Sequence, residues 1–226
     1  MPKRGKKYID ITKNKENKLY NLEEAIEKAK EYSYSSFKGT IELHIALKPQ
    51  KDKDPKSIKG TVSLPHSTKE KKVTVAVFTS PENEKNAKEA GADLVGTDEI
   101  IKDIKKGKID FDVAIATPDV MPKIAQVGKE LGPKGLMPNP KTGTVTDDIQ
   151  TAIEEYKKGK STFSADEKGV VHIGVGKTDL ETEKITENIQ KVLNAIKDAT
   201  GKTEVSQIIK SIHLSPTMGP SVKISI

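Results

Sequence analysis

Hydrophobic and polar residues change their spacing twice along the chain, and those two changes mark its organisation. From Thr40 to Leu47 they alternate, with Ile41, Leu43, Ile45 and Leu47 on one face and Thr40, Glu42 and His44 on the other. That is the pattern of a half-buried strand. Gly60-Thr61-Val62-Ser63-Leu64-Pro65 predicts a second, short strand stopped by proline. From Val73 the pattern is different. Val73–Phe78 and Phe111–Ala116 are apolar nearly throughout, and helical stretches fall over Asn83–Ala90, over Thr97–Lys106 and after Pro118. Apolar strands that alternate with helices describe a small parallel sheet covered on both faces.

Past Gly143 the first pattern returns. Asp147 to Lys158 is amphipathic, and short strands are expected around Ser161–Ala165 and Val170–Val175. Ile185, Ile189, Val192, Leu193 and Ile196 then mark the inner face of a long helix. Ile212 and Leu214 alternate with Ser211, His213 and Ser215, and Val222, Ile224 and Ile226 alternate with Ser221, Lys223 and Ser225. Two closing strands follow from this, joined through Ser215-Pro216-Thr217-Met218-Gly219-Pro220. Near the N-terminus, Asn21-Leu22-Glu23-Glu24 reads as a capped helix start, with Glu24 three residues after Asn21 as in a capping box.

The first segment offers a helix and two strands, too few to bury a core alone. The fold class expected is therefore α/β with two domains: a discontinuous α+β domain built from both termini, residues 1–67 and 160–226, and an inserted Rossmann-like three-layer α/β domain, residues 68–159. The chain would cross between them near residues 67 and 159, and the two crossings would form a hinge.

Composition narrows the function. With 226 residues and 34% hydrophobic content there is enough chain for two modest cores. Zero Cys removes disulfides, thiolate metal ligands and Cys nucleophiles, and suits a reducing, cytoplasmic setting. No long apolar run predicts a membrane span or a signal peptide. The net charge is +6, unevenly placed. Residues 68–159 hold 15 Lys against 16 Asp and Glu, a net of −1, whereas the rest carries +7, of which residues 1–18 supply +5. A basic arm beside a near-neutral body points to a polyanion partner. The arm itself, polar and Lys-rich, is expected to stay mobile until bound.

Catalytic motifs fail on their own spacing. Gly174-Val175-Gly176-Lys177-Thr178 resembles the end of a P-loop, but the Gly required five residues before Gly176 is Val171. The first apolar strand runs into Thr79-Ser80-Pro81-Glu82, without the Gly-rich turn that a dinucleotide needs. The four histidines, His44, His66, His172 and His213, are scattered and show no ligand spacing with carboxylates. No enzyme activity, cofactor or metal is expected. The connection around Thr217 is more informative: two prolines stiffen it, and Gly219 lets its backbone come close to a partner. Such a loop suits a sugar-phosphate chain.

The run Val127-Gly128-Lys129-Glu130-Leu131-Gly132-Pro133-Lys134-Gly135-Leu136-Met137-Pro138-Asn139-Pro140-Lys141-Thr142-Gly143-Thr144-Val145 strongly resembles the signature of the ribosomal protein L1 family. Phe37-Lys38-Gly39-Thr40-Ile41-Glu42, Gly60–His66 and Ser215–Pro220 agree with it, and the likeness spans essentially the whole chain. The resemblance implies a monomer that joins the large ribosomal subunit, binds 23S rRNA at the base of a mobile stalk and lies beside the exit site for deacylated tRNA. It also implies repression of the protein's own mRNA through a leader hairpin that mimics the rRNA site. Carried over position by position, it places the RNA surface at Phe37, Thr40, Glu42, Asp166, Ser211, Thr217, Met218 and Gly219, with secondary contacts at Lys134 and Lys141. The chain departs from the family pattern at Lys38-Gly39, where an acidic residue is common, at Ser67, where Gly is common, and in the turn Asp166-Glu167-Lys168-Gly169. Two alternatives stand beside this reading: an L1-like RNA-binding factor acting off the ribosome, and a nucleotide-binding enzyme built on the middle domain.

Overall fold

The computed structural model describes residues 5–13, 15–16, 18–48, 58–66, 73–157, 159–201 and 204–225. Its first part forms α1 (Lys6–Lys13), β1 (Leu19–Tyr20), α2 (Leu22–Glu31), β2 (Thr40–Leu47) and β3 (Lys59–Ser63). The middle forms β4 (Val75–Phe78), α3 (Glu84–Glu89), β5 (Leu94–Val95), α4 (Asp98–Lys105), β6 (Val113–Ala116), α5 (Met121–Ile124), α6 (Gly128–Leu131) and α7 (Ile149–Lys157). The last part adds β7 (Lys160–Ser164), β8 (Val170–Lys177), α8 (Thr182–Thr200), α9 (Val205–Ile208), β9 (Ile209–Pro216) and β10 (Val222–Ile224). The chain is thus mixed α/β. Its contacts divide it into two units, Met1–Thr68 with Thr162–Ile226, and Lys69–Ser161. The crossing expected near residue 67 lies outside the described residues.

In the first unit five strands form a sheet in the order β1-β10-β9-β2-β8, with β1 parallel to β10 and the other neighbours antiparallel. Alternation decides which face is wet. On β2 the side chains of Ile41, Leu43, Ile45 and Leu47 are buried, together with Val171, Ile173 and Val175 of β8 and Ile212 and Leu214 of β9. Against this face pack α2, through Ala25, Ile26 and Ala29, and α8, through Ile185, Ile189, Val192 and Ile196. Each Ile or Leu taken out of water contributes about 1.5–3 kcal/mol, so this face dominates the stability of the unit. The 19-residue α8 ends at Gly201, whose left-handed backbone returns its N–H to the Lys197 carbonyl.

A separate pair, β3 with β7, closes the unit. Gly60 lies against the Phe163 ring, where a Cβ would stand 2.8 Å from the ring's Cζ. The end of this segment is held by one buried amide. Asn188 of α8 accepts the His66 N–H at 3.2 Å and donates to the carbonyls of His66 and Val175 at 3.0 and 2.8 Å. It pairs with backbone as a neighbouring strand would.

Within the arm, α1 forms over Lys6–Lys13, and Ile11 packs against the core. Two expectations for this unit need correction. Asn21 does occupy the position before α2, but its side chain makes no capping bond. Ser215 and Pro216 belong to β9 rather than to the loop, because β9 pairs with β2 as far as Pro216 opposite Ile41.

The second unit holds a parallel sheet in the order β5-β4-β6. All four residues of β4 are buried, and they alternate between two clusters. Ala76 and Phe78 pack with Ile100, Ile101 and Ile104 of α4 and with Ile124, Val127 and Leu131. Val75 and Val77 pack with Ala87 of α3 and Ile149, Ile153 and Tyr156 of α7. A strand with apolar residues on both sides can only sit between two helical layers, which is why its sequence does not alternate.

Candidate nucleic-acid interface

The structure gathers most of the candidate residues at one end of the five-stranded sheet. Thr40 opens β2 and Thr217 follows directly on β9, and the two are clamped together. The Thr217 hydroxyl accepts the Thr40 N–H at 3.1 Å and donates to the Thr40 carbonyl at 3.0 Å, while the Thr217 N–H reaches the same carbonyl at 2.9 Å. The hydroxyl keeps one acceptor lone pair for a partner. Beyond it the loop leans on the segment between α2 and β2: the Met218 carbonyl accepts the Tyr34 N–H, and Gly219 lies against the Tyr32 carbonyl. The result is a ledge with two exposed apolar side chains, Met218 at 38% and Phe37 at 58%. Glu42 stands beside it, opposite Ser215 on β9. Lys38 pairs with Asp179 at 2.7 Å, so its ammonium is turned to a neighbouring carboxylate.

Ser211 and Asp166 are not part of this ledge. Ser211 is opposite Ala46 on β2, and Val170 is opposite Ala46 on the other side. Six residues of extended chain separate Ala46 from Thr40, about 20 Å. The platform expected from the sequence is therefore two clusters, at opposite ends of one sheet face. Asp166 also has a job within the fold. Its carboxylate accepts the N–H groups of Val170 at 2.7 Å and Lys168 at 2.9 Å, which shapes the turn into β8. The Val170 bond above all holds its carboxyl below the ordinary carboxylate range; burial opposes it, and the Lys168 bond and the nearby His172 and Lys168 charges add to the lowering. A depressed value means that Asp166 stabilises the fold above the unfolded carboxylate range and ceases to do so as the pH falls through its folded value. Asp166→Ala should lower the urea midpoint at pH 7, and its deficit against wild type should shrink on acidification. An equal deficit at pH 7 and pH 3 would remove the charged carboxylate from the turn.

In the second unit the signature run forms a knitted loop. Asn139 donates its N–H to the Thr144 hydroxyl at 2.7 Å, and the hydroxyls of Thr142 and Thr144 return to the Asn139 carbonyl. Tyr156 donates to the Thr142 carbonyl at 2.9 Å, and burial pushes its phenol up to about 12, so it stays a donor. Leu136 and Met137 anchor the loop on the core and leave Lys134 exposed. The side chain of Lys141 lies outside the described residues.

The sequence reading missed one feature. The histidines it found scattered are partly assembled: His213 of β9, His44 of β2 and His172 of β8 are cross-strand neighbours on the outward face, between the two clusters. Alternation alone puts His44 and His213 on polar faces, but only strand pairing puts them side by side. Among the described residues no group of three or more His, Asp or Glu is placed to hold a metal ion, and no helix is long and apolar enough to cross a membrane.

The model of the ribosomal protein L1p/L10e family matches residues 29–220. That span takes in β2, the ledge and the knitted loop. The chain belongs to the ribosomal protein L1 family. Among its L1 relatives are large ribosomal subunit proteins uL1 of Kosmotoga olearia, 43% identical over 99% of this chain and 97% of that protein, and of Thermosipho melanesiensis, 44% identical over 100% and 97%. The uL1 of Fervidobacterium nodosum is 44% identical, also over 100% and 97%. The L1 model starts at Ala29, so α1 and the basic arm lie before the region that it matches.

Proposed function

We propose that this chain is a non-enzymatic RNA-binding protein of the large ribosomal subunit, working in the cytoplasm on the ribosome. In this reading the first unit is the RNA-binding domain and recognises 23S rRNA at the base of the stalk beside the tRNA exit site. The second is an inserted Rossmann-like domain that adds weaker backbone contacts through Lys134 and Lys141. By the same surface the protein represses its own mRNA, whose leader imitates the rRNA site. Family membership supports the setting, since the relatives are themselves large ribosomal subunit proteins.

The observation that carries the site is the ledge. A hydroxyl locked onto the neighbouring strand, a thioether and a phenyl ring in water, and a close-packed Gly backbone make a rigid and nearly uncharged surface. Such a surface suits ribose hydroxyls and base edges in a folded RNA, while lysines elsewhere supply affinity without specificity. In filter binding of the full chain to a 23S stalk fragment, Met218→Ala and Thr217→Ala should each weaken binding by about 1–3 kcal/mol. Thr217→Ser, which keeps the clamp, should lose much less. Variants as tight as wild type would show that the RNA sits elsewhere.

A further inference from the structure

Between the two clusters the outward face of the sheet carries a row that runs across four strands. Lys223 of β10 is opposite His213 of β9, His213 is opposite His44 of β2, and His44 is opposite His172 of β8. Three strand spacings give the row a length of about 14 Å. Its neighbours on the same face include the small residues Ser211 and Ser215 on β9, Ala46 on β2 and Gly174 on β8, and one carboxylate, Glu42 of β2, 3.8 Å from the His44 ring. At the Lys223 end the row opens into a cleft of about 340 Å³ lined by Lys15, Glu16, Lys18, His213, Ser221 and Lys223. Glu16 is held by Lys18 at 2.8 Å, which leaves the cleft with a cationic balance.

We propose that this row is a phosphate track, along which one sugar-phosphate strand of the bound RNA crosses the sheet from the Lys15–Lys223 cleft over His213 to the His44–His172 pair. The inference rests on the RNA-binding reading and adds to it a path and a proton linkage. The His44 and His172 rings meet Nδ1 to Nδ1 at 2.7 Å. Only one of those two nitrogens can carry a proton in that contact, so the pair holds at most one positive charge without separating. An anion between the rings removes this restriction, because a phosphate oxygen accepts from both N–H groups.

For His44 and His213, burial acts in the same direction. His44 is held below the ordinary imidazole value by burial first and then by His172, with Glu42 opposing and His213 adding a little. His213 is held down by burial, then by Lys223 and Lys15. His172 faces Asp166 at 3.9 Å. The lowered values of His44 and His213 disfavour their charged forms and cost the fold stability as the pH falls below the ordinary imidazole value of 6.5. A bound phosphate supplies the counter-charge, so RNA binding takes up protons and tightens on acidification.

The test is binding of the full-length protein to the 23S stalk fragment at constant ionic strength from pH 8 to pH 5.5, with folding checked by circular dichroism at each pH. Wild type should bind about tenfold or more tightly at pH 5.5 than at pH 8, since each coupled proton contributes up to a decade per pH unit. His44→Gln with His213→Gln should flatten that rise to the RNA's own baseline. Lys223→Ala and Lys15→Ala should each lower the slope of log K against log salt by about 1. A double His variant with the wild-type pH profile, or Lys variants with an unchanged slope, would overturn the track while specific binding sensitive to Thr217→Ala left the RNA reading standing. Loss of specific binding by wild type at every pH would remove that reading, and the track with it.

Discussion

Replacing Gly219 with alanine is expected to dislodge the ledge and weaken RNA binding by at least about tenfold, or 1.4 kcal/mol. The cause is space rather than backbone angle, because Gly219 is not among the glycines with positive φ. A Cβ there would stand 2.5 Å from the Tyr32 carbonyl oxygen, 2.7 Å from Pro216 Cγ and 3.2 Å from the Tyr32 carbonyl carbon. Two of these three atoms are backbone at the end of α2 and do not rotate away. The loop must move outward, which breaks the bond from the Tyr34 N–H to the Met218 carbonyl and pulls on the clamp between Thr217 and Thr40. Overpacking of this kind costs about 1–3 kcal/mol. Thermal unfolding should register that cost, and binding should register the displaced Met218. A Gly219→Ala variant with both properties intact would mean that the loop has slack the structure does not show.

The largest loss of stability is expected for Asn188→Ala. The side chain is fully buried on the inner face of α8, where nearly every neighbour is apolar. Its amide satisfies the Val175 carbonyl on β8 together with the N–H and carbonyl of His66. Alanine leaves the Val175 carbonyl buried without a donor and opens a cavity beside it. An unsatisfied buried group costs about 1–3 kcal/mol, so a total near 3 kcal/mol is expected by urea denaturation. The neighbouring Thr186→Ala, which removes only a bond back to the Thr182 carbonyl on the same helix, serves as the comparison and should cost far less. Equal midpoints for the two variants would show that water replaces the Asn188 amide.

Much of this fold is legible in the order of residue types because the signals are local. Ile41, Leu43, Ile45 and Leu47 alternate, and one strand with one buried face follows. Ile185, Ile189, Val192 and Ile196 recur at helical spacing, and the inner face of α8 follows. The continuous apolar run ending at Phe78 reads as a strand with two covered faces for the same reason. Where the reading failed, the cause was an interaction that local spacing does not carry. Ile11 is one of a few apolar residues in a Lys-rich arm, and local spacing does not carry its packing against the core. Asn21 has the chemistry of a cap, but the geometry that would aim its side chain is set by its neighbours in space. Asp166 reads as a surface acid until the turn around it closes on its carboxylate.

The candidate site divides in the same way. Alternation by itself determines that Thr40, Glu42, His44, Ser211 and His213 lie on polar faces of their strands, because successive side chains of an extended chain point to opposite sides. It does not determine which strand lies beside which, since register depends on contacts between residues far apart in sequence. Only the tertiary structure sets Thr217 on the backbone of Thr40, across 177 residues, and sends Ser211 and Asp166 to the far end of the sheet. Only pairing of β8, β2, β9 and β10 turns three separate histidines and a lysine into a row, because a strand presents one outward residue at each level and the sheet supplies the rest.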